Sequence, residues 1–456
     1  MKLRINDTIA AIATPIGVGA ISIVRMSGPD AISIAEKVFR GSTRLATTPG
    51  HVLRHGRIVD KTDNMIDEVL VAVFRTPHSY TGEDSVEISC HGGMFVTKRV
   101  LLELMESGAR QADPGEFTRR AFLNGKMDLS QAEAVSDIVS AGSERALRNS
   151  NTQLGGSLAS RVHKVKDGLV KVCALIELDL DFSEEGERVV PVEAIIRSLD
   201  EGAEEVQSAI SSFRFGKILR DGIGLAIVGR PNVGKSSIFN RLLQEERSIV
   251  SPVPGTTRDF LEETFTIDGL SVRLCDTAGL RVSRDDVEAE GIARTLLVTK
   301  SADVVLLVLD ATIRSGFKED IEFLRASTQN APSVIIAINK ADLAPARDFG
   351  PGDAVWISAL TGDGFDELRS RIRDSIGNGD TTIPSEVHLT SYRQVEVLRR
   401  CSGYLTEATA AVRSGMSGEF VAADLRLAID ALSEITGEVT SDDILEHIFS
   451  RFCIGK

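Results

Sequence analysis

Cysteine is sparse and scattered, at Cys90, Cys173, Cys275, Cys401 and Cys453, and no two form a CxxC pair. That distribution argues against a disulfide framework and against a structural zinc site, and it fits a reducing compartment. Aromatics are few, with one tryptophan and three tyrosines, so buried cores must rest on aliphatic side chains. Positive charge is also short: 52 Lys and Arg stand against 66 Asp and Glu, a net charge of −14. Such a balance argues against a generally basic nucleic-acid binder, although a local basic patch survives the argument. No apolar run reaches the ~20 residues of a membrane span without interruption. The N-terminal Thr8–Val24 comes nearest to an export signal, but Asp7 precedes it, Pro15, Gly17 and Gly19 interrupt it, and no small-residue cleavage site closes it. Cys453 lies four from the end, as in a prenylation box, yet Gly455 and Lys456 suit that modification poorly. A cytoplasmic protein is expected, with neither membrane nor DNA as a partner.

What the chain does contain is a phosphate-binding loop. Gly229-Arg230-Pro231-Asn232-Val233-Gly234-Lys235-Ser236-Ser237 follows the apolar Ile223–Val228 and precedes Ile238–Leu243, which has helical spacing. Strand, glycine loop and helix are the context such a loop requires. Gly229 and Gly234 let backbone N–H groups turn toward phosphate oxygens at the positive end of the helix dipole. Lys235 adds a charge for the β- and γ-phosphates, and the Ser236 hydroxyl can ligate magnesium. Downstream, Asp276-Thr277-Ala278-Gly279 offers a carboxylate for the magnesium water shell and an N–H for the γ-phosphate. Asn339-Lys340-Ala341-Asp342 follows the buried run Val334–Ile338, and the Asp342 carboxylate can accept from the guanine ring N–H and amine. Adenine offers no such pair, so the wrong base would leave a buried carboxylate unpaired. Ser358-Ala359-Leu360 stands where a backbone N–H would meet the guanine carbonyl. The four stretches in this order point to a GTPase.

At 456 residues the chain has room for about three domains. The fold expected is multidomain: an α+β N-terminal domain, a central α-helical bundle, and a Ras-like α/β P-loop GTPase domain inserted in that bundle. The boundaries expected are 1–118, 119–218, 219–378 and 379–456, the second and fourth segments forming the bundle. Ile21–Ser27 and Val69–Phe74 read as strands, Ala31–Phe39 and Val96–Met105 as helices. Long helices are expected over Ser130–Gln153 and Leu158–Phe182, the latter buried along Val162, Val165, Leu169, Cys173, Ile176 and Leu180. Another runs over Val192–Phe215. The GTPase domain closes with Asp366–Ile376. Helices resume at Arg393–Val412 and continue to the C-terminus, with Thr440 a candidate N-cap.

The whole chain resembles the MnmE (TrmE) family of tRNA-modifying GTPases. The resemblance rests on the phosphate loop, on Gly255-Thr256-Thr257-Arg258-Asp259, on Asp276–Arg281, and on the terminal Phe452-Cys453-Ile454-Gly455-Lys456. Glu116-Phe117, Arg120–Lys126 and Gln131–Ala134 support it from the other end. It implies action with the flavoenzyme MnmG, in a heterotetramer, at the wobble uridine of certain tRNAs. An aminomethyl or carboxymethylaminomethyl group is built there on carbon 5, from 5-formyltetrahydrofolate or methylenetetrahydrofolate. It also implies a homodimer through the N-terminal domain and a folate site at Arg25, Glu87, Lys126 and Lys456. Arginine and lysine can pair with folate carboxylates, and Glu87 can accept from the pterin. Cys453 is either a catalytic thiol or a small buried residue near that site.

Hydrolysis needs help of its own, because Leu280 stands where Ras-like enzymes place a water-orienting glutamine. The resemblance supplies Glu288 as the group acting on water. It implies GTP contacts from Asn232, Val233, Gly234, Lys235, Ser236 and Ser237, from Ser251, Pro252, Val253, Pro254, Gly255, Thr256 and Thr257, and from the later stretches named above. Magnesium would be held by Ser236 and Thr257, and potassium by Asn232, Ser251, Val253 and Thr256. A monovalent cation there neutralises charge at the β–γ bridge, and dimerisation of the GTPase domains would gate the reaction. The main alternative is a regulatory GTPase of the ribosome-assembly type without one-carbon chemistry; another is a folate-dependent transferase acting on a protein or metabolite. Any tRNA-binding surface is expected to be local, around Arg119, Arg120 and Lys126, or shared with the partner.

Overall fold

A computed structural model describes residues 7–181, 191–245, 264–267, 269–274, 302–313, 317–319, 321–322, 333–344, 350–375 and 388–456. The chain divides into two compact units, 1–136 with 152–207 and 396–456, and 137–151 with 208–395.

The first unit begins with a seven-stranded sheet. Its strands are β1 (Ile9–Ile12), β2 (Ile21–Ser27), β3 (Phe39–Gly41), β4 (Val52–Val59), β5 (Met65–Phe74), β6 (Ser85–His91) and β7 (Arg110–Gln111), in the spatial order β3-β4-β5-β6-β2-β1-β7. Period-two alternation decides its faces. Val24, Met26, Val69, Val71, Val86 and Ile88 point to a core with the helices Ala31–Val38 and Met94–Glu106. Arg25 and Glu87, register partners on β2 and β6, point the other way. On that second side Ile9 and Ala11 pack with Ala112 and Phe117, so the helix Glu116–Leu123 covers one end of the sheet.

A buried ion network fixes that helix. Arg120, whose side chain is 1% exposed, pairs with Asp7 at 2.6 Å, Glu116 at 3.0 Å and Glu83 at 3.3 Å. Arg110 bridges Glu116 at 2.7 Å and Asp7 at 2.9 Å. Burial opposes ionisation of Asp7 and Glu116, but hydrogen bonds from Arg110 and the charge of Arg120 outweigh it and hold both carboxyls below their usual values. Two residues of the expected basic surface are thereby withdrawn from it: Arg120 is consumed internally, and Arg119 is 16% exposed and 3.8 Å from Asp442. The helices Ser157–Asp181 and Gly418–Thr436 belong to the same unit, with Arg426 paired to Glu177 and Glu438 bonded by His163 and Lys166. Of the anticipated stripe, Val162, Leu169, Cys173 and Ile176 are buried, while Val165 and Leu180 are half-buried.

Three local expectations need correction. Ser130–Gln153 is not one helix but two, Leu129–Ser140 and Glu144–Leu154, because the Ser143 hydroxyl accepts from the Ala146 N–H and starts a new helix after Gly142. The N-cap of Asp442–Phe449 is Ser441, whose hydroxyl accepts from Ile444 N–H, rather than Thr440. The helix Val192–Asp221 also runs six residues beyond Phe215.

The second unit holds a six-stranded sheet of β8 (Ile223–Val228), β9 (Thr264–Ile267), β10 (Leu270–Leu274), β11 (Val304–Asp310), β12 (Ser333–Asn339) and β13 (Val355–Trp356), in the order β13-β12-β11-β8-β10-β9. Only the β9–β10 pair is antiparallel. Apolar side chains cover both faces, which is why β11 reads as an unbroken buried run. Where the chain enters and leaves this region its segments meet: Leu389 N–H donates to the Ser212 hydroxyl at 3.2 Å, and the Phe215 and His388 rings lie 5.0 Å apart. The sheet is thus an α/β domain inserted between helices.

Removing the Arg120 charge leaves the network's carboxylates undercompensated. Arg120→Met should cost roughly 3–5 kcal/mol in urea unfolding at neutral pH. Because the folded carboxyls titrate below their unfolded values, the network's contribution is complete above the ordinary carboxylate range and is lost as pH falls through the lowered ones. The mutational cost should shrink in the same acidic window.

Candidate active site

The phosphate loop joins β8 to the helix Lys235–Glu245. It can form because Gly234 takes φ +99° and approaches Asn339 so closely that a Cβ would lie 2.2 Å from the Nδ2 atom. Asn232 also has a positive φ, 64°, a conformation that asparagine tolerates better than most residues. The Lys235 ammonium donates to the carbonyls of Gly229 at 2.9 Å and Arg230 at 2.8 Å, so it lies across the loop. Burial pulls its pKa down. Ser236 and Ser237 are exposed in the first turn, where a hydroxyl can reach a ligand.

The residues expected to read the base converge on the same end of the sheet. Asn339 closes β12; its Nδ2 donates to the Val233 carbonyl at 2.8 Å and its Oδ1 accepts from Ala359 N–H at 3.0 Å. One side chain therefore ties the phosphate loop to the Ser358–Leu360 loop. The Ser358 hydroxyl donates to Asp342 Oδ1 at 2.5 Å, fixing the carboxylate meant to read the base. Lys340, at φ +66°, pairs with Asp310 at 2.5 Å. Burial opposes ionisation of Asp310, but Lys340 and Thr312 hold its carboxyl below the usual value. Leu360 is 81% exposed, which suits a residue contributing backbone rather than side chain.

Two residues of this site went unread in the sequence. Asp310 had a signal, since a lone carboxylate ends an otherwise apolar strand. Arg241, which donates to the carbonyls of the Ser358–Leu360 loop, had none, being 118 residues away from Ala359. The Ser251–Thr257 stretch, Asp276–Gly279 and Glu288 lie outside the described residues. Of the expected magnesium ligands, Ser236 is therefore described and Thr257 is not. Of the expected potassium ligands, only Asn232 is described. The described half, a glycine cradle that no Cβ could share, a half-buried lysine and a helix N-terminus, fits a nucleotide polyphosphate.

A second constellation forms in the first unit. Arg25 Nε and Nη2 lie 2.8 Å from Glu87 Oε1, the guanidinium is stacked over the Tyr80 and Phe117 rings at 5.6 and 5.8 Å, and Nη1 donates to the Gly455 carbonyl at 3.2 Å. The C-terminal tail is held there. Phe117 N–H donates to the Lys456 carbonyl at 3.2 Å. Gly455 takes φ +97° against β1, where a Cβ would meet the Ile12 carbonyl at 2.4 Å. Burial and the charge of Arg25 lower the Lys456 pKa. Lys126 donates to the Pro77 carbonyl at 3.0 Å, on the loop that also carries Tyr80. Three of the four predicted residues, Arg25, Glu87 and Lys456, thus meet through the tail, and Lys126 borders them across the 77–82 loop. Arg25 departs from expectation in one respect: it is already bound to Glu87 and so orients that carboxylate. Cys453 is exposed, which removes the reading of it as a small buried residue.

Among the described residues there is no helix long and apolar enough to cross a membrane and no cluster able to hold a metal through His, Cys, Asp and Glu. Family models described as the MnmE helical domain and the GTP-binding protein TrmE N-terminus match residues 129–453 and 8–126. The tRNA modification GTPase MnmE of Symbiobacterium thermophilum is 45% identical, over 99% of this chain and 100% of its own. That of Syntrophus aciditrophicus is 42% identical, over 99% and 100%, and that of Chlorobium phaeobacteroides 43%, over 99% and 97%.

Proposed function

The chain belongs to the MnmE family of tRNA modification GTPases, and from that premise we propose that it acts with the flavoenzyme MnmG at the wobble uridine of tRNA. The pair installs an aminomethyl or carboxymethylaminomethyl group on carbon 5 from a folate one-carbon unit. The observation that carries this reading is the C-terminal tail docked beside the Arg25–Glu87 pair.

In this reading the Glu87 carboxylate, steered by Arg25, accepts from a pterin ring, while Lys456 and Lys126 supply positive charge for the folate carboxylates. Bound folate supplies the one-carbon unit. Cys453 stands exposed two residues from Gly455 and is assigned as the thiol of the site. In the GTPase domain Lys235 neutralises the phosphates, Ser236 and Thr257 ligate magnesium, Asp342 selects guanine, and Glu288 orients or activates water. Asn232, Ser251, Val253 and Thr256 hold potassium, so that hydrolysis is gated by apposition of two GTPase domains. The protein works in the cytoplasm as a homodimer through its N-terminal domain, joined to MnmG in a heterotetramer.

Complementation of a strain lacking the family member, read by mass spectrometry of tRNA nucleosides, tests the chemistry. The wild-type chain should restore the modified uridine, whereas Glu87→Ala should fail while hydrolysing GTP normally. Full restoration by Glu87→Ala would remove the folate assignment. Hydrolysis in potassium and in sodium at matched ionic strength tests the cation site. Potassium should support the faster rate, and equal rates would contradict the assignment of Asn232.

A further inference from the structure

Arg241 lies six residues beyond Lys235, in the helix whose N-terminus faces the phosphate loop. Its Nη1 donates to the carbonyls of Ala359 at 3.2 Å and Leu360 at 3.0 Å, and its Nη2 to Thr361 at 3.2 Å. The guanidinium also stacks over the Phe365 ring, 5.6 Å from its centroid, and that ring is buried at the head of the helix Phe365–Asp374. Three successive carbonyls thus turn toward one cation. In a planar trans peptide the N–H of the next residue points opposite to each carbonyl, so fixing these oxygens fixes the direction of the Leu360, Thr361 and Gly362 N–H groups. Gly362 completes the fit: with φ +94°, a Cβ there would lie 2.2 Å from Arg241 Nη2.

Thr361 N–H already donates to the Ser358 hydroxyl at 3.1 Å and Gly362 N–H to the Ser358 carbonyl at 2.8 Å. We propose that Arg241 is a positioning residue for guanine recognition, holding the Ser358–Gly362 loop so that the Leu360 N–H meets the guanine carbonyl. In this role it acts on the base through the loop it holds. The single helix Lys235–Glu245 then serves both ends of the nucleotide, phosphate at Lys235 and base through Arg241. The inference rests on the assignment of Ser358–Leu360 as the base loop, and the test separates the two.

The binding of GDP, IDP and XDP to the full chain is measured with melting temperature and with kcat at saturating GTP. Hypoxanthine keeps the carbonyl that the loop reads and lacks the amine that Asp342 reads. Arg241→Ala should weaken GDP and IDP in parallel, by about tenfold or more each, as expected for losing a charged donor to several carbonyls. The GDP-to-IDP ratio should stay as in wild type, and Arg241→Lys should recover part of the loss. Gly362→Ala should reproduce the weakening, and its effect should be smaller in an Arg241→Ala background because the side chain it collides with is gone. Asp342→Asn is the control: it should reduce the GDP-to-IDP ratio and improve XDP binding. If Asp342→Asn leaves the base preferences unchanged, the base site itself is misassigned. If Asp342→Asn shifts them while Arg241→Ala binds GDP like wild type, the role of Arg241 is overturned. A fall in kcat with unchanged affinity, or a lowered melting temperature alone, would equally overturn it.

Discussion

Arg120 is the constraint from which much of the first unit follows. A guanidinium with 1% of its side chain exposed can persist only if carboxylates surround it, and Asp7, Glu83 and Glu116 do so from three separated segments. Such a cluster adds little net stability over an apolar core of the same volume, because desolvation consumes most of the attraction. What it supplies is position. It draws the start of β1, the 77–83 loop and the helix Glu116–Leu123 to one point. From that helix, Phe117 presents its ring beneath Arg25 and its N–H to the Lys456 carbonyl. The last residue of the chain is thereby placed on the first sheet.

The GTPase domain is organised on a similar economy of shared side chains. Asn339 bonds both the phosphate loop and the base loop, and the helix after the phosphate loop braces the base loop again through Arg241. Lys340 and Asp310 close the ends of two adjacent parallel strands, β12 and β11. The candidate site therefore lies at the C-terminal edge of the sheet, where open α/β folds place their ligands.

The legible part of the sequence was the local part. The phosphate loop, Asn339–Asp342 and Ser358–Leu360 could be read because each function needs its residues within a few positions, with a strand before them. Period-two and helical spacing found Ile21–Ser27 and the stripe from Val162 to Ile176 for the same reason. Contacts across long stretches of chain left no such trace. Arg120 read as part of a basic surface because two of its three carboxylate partners lie 37 and 113 residues away, and the third, Glu116, stands at the i,i+4 spacing that exposed helix pairs also use. The helix break at Gly142 was missed because a single glycine inside a helical pattern is tolerated at a cost of about 1 kcal/mol, and Ser143 acts as a cap only once the turn has formed. Arg25, Glu87 and Lys456 came from family resemblance alone, and the fold gives them a physical reason to stand together.

The central claim is that the tail beside Arg25 completes a one-carbon site rather than merely closing the fold. Deletion of Cys453–Lys456 tests it most directly, with the affinity of the purified protein for 5-formyltetrahydrofolate measured by calorimetry alongside its GTP turnover. The account predicts that folate affinity falls by about tenfold or more, the scale of losing the charged partners of a carboxylate, while GTP turnover is unchanged. Unchanged folate affinity in the truncated protein would contradict it.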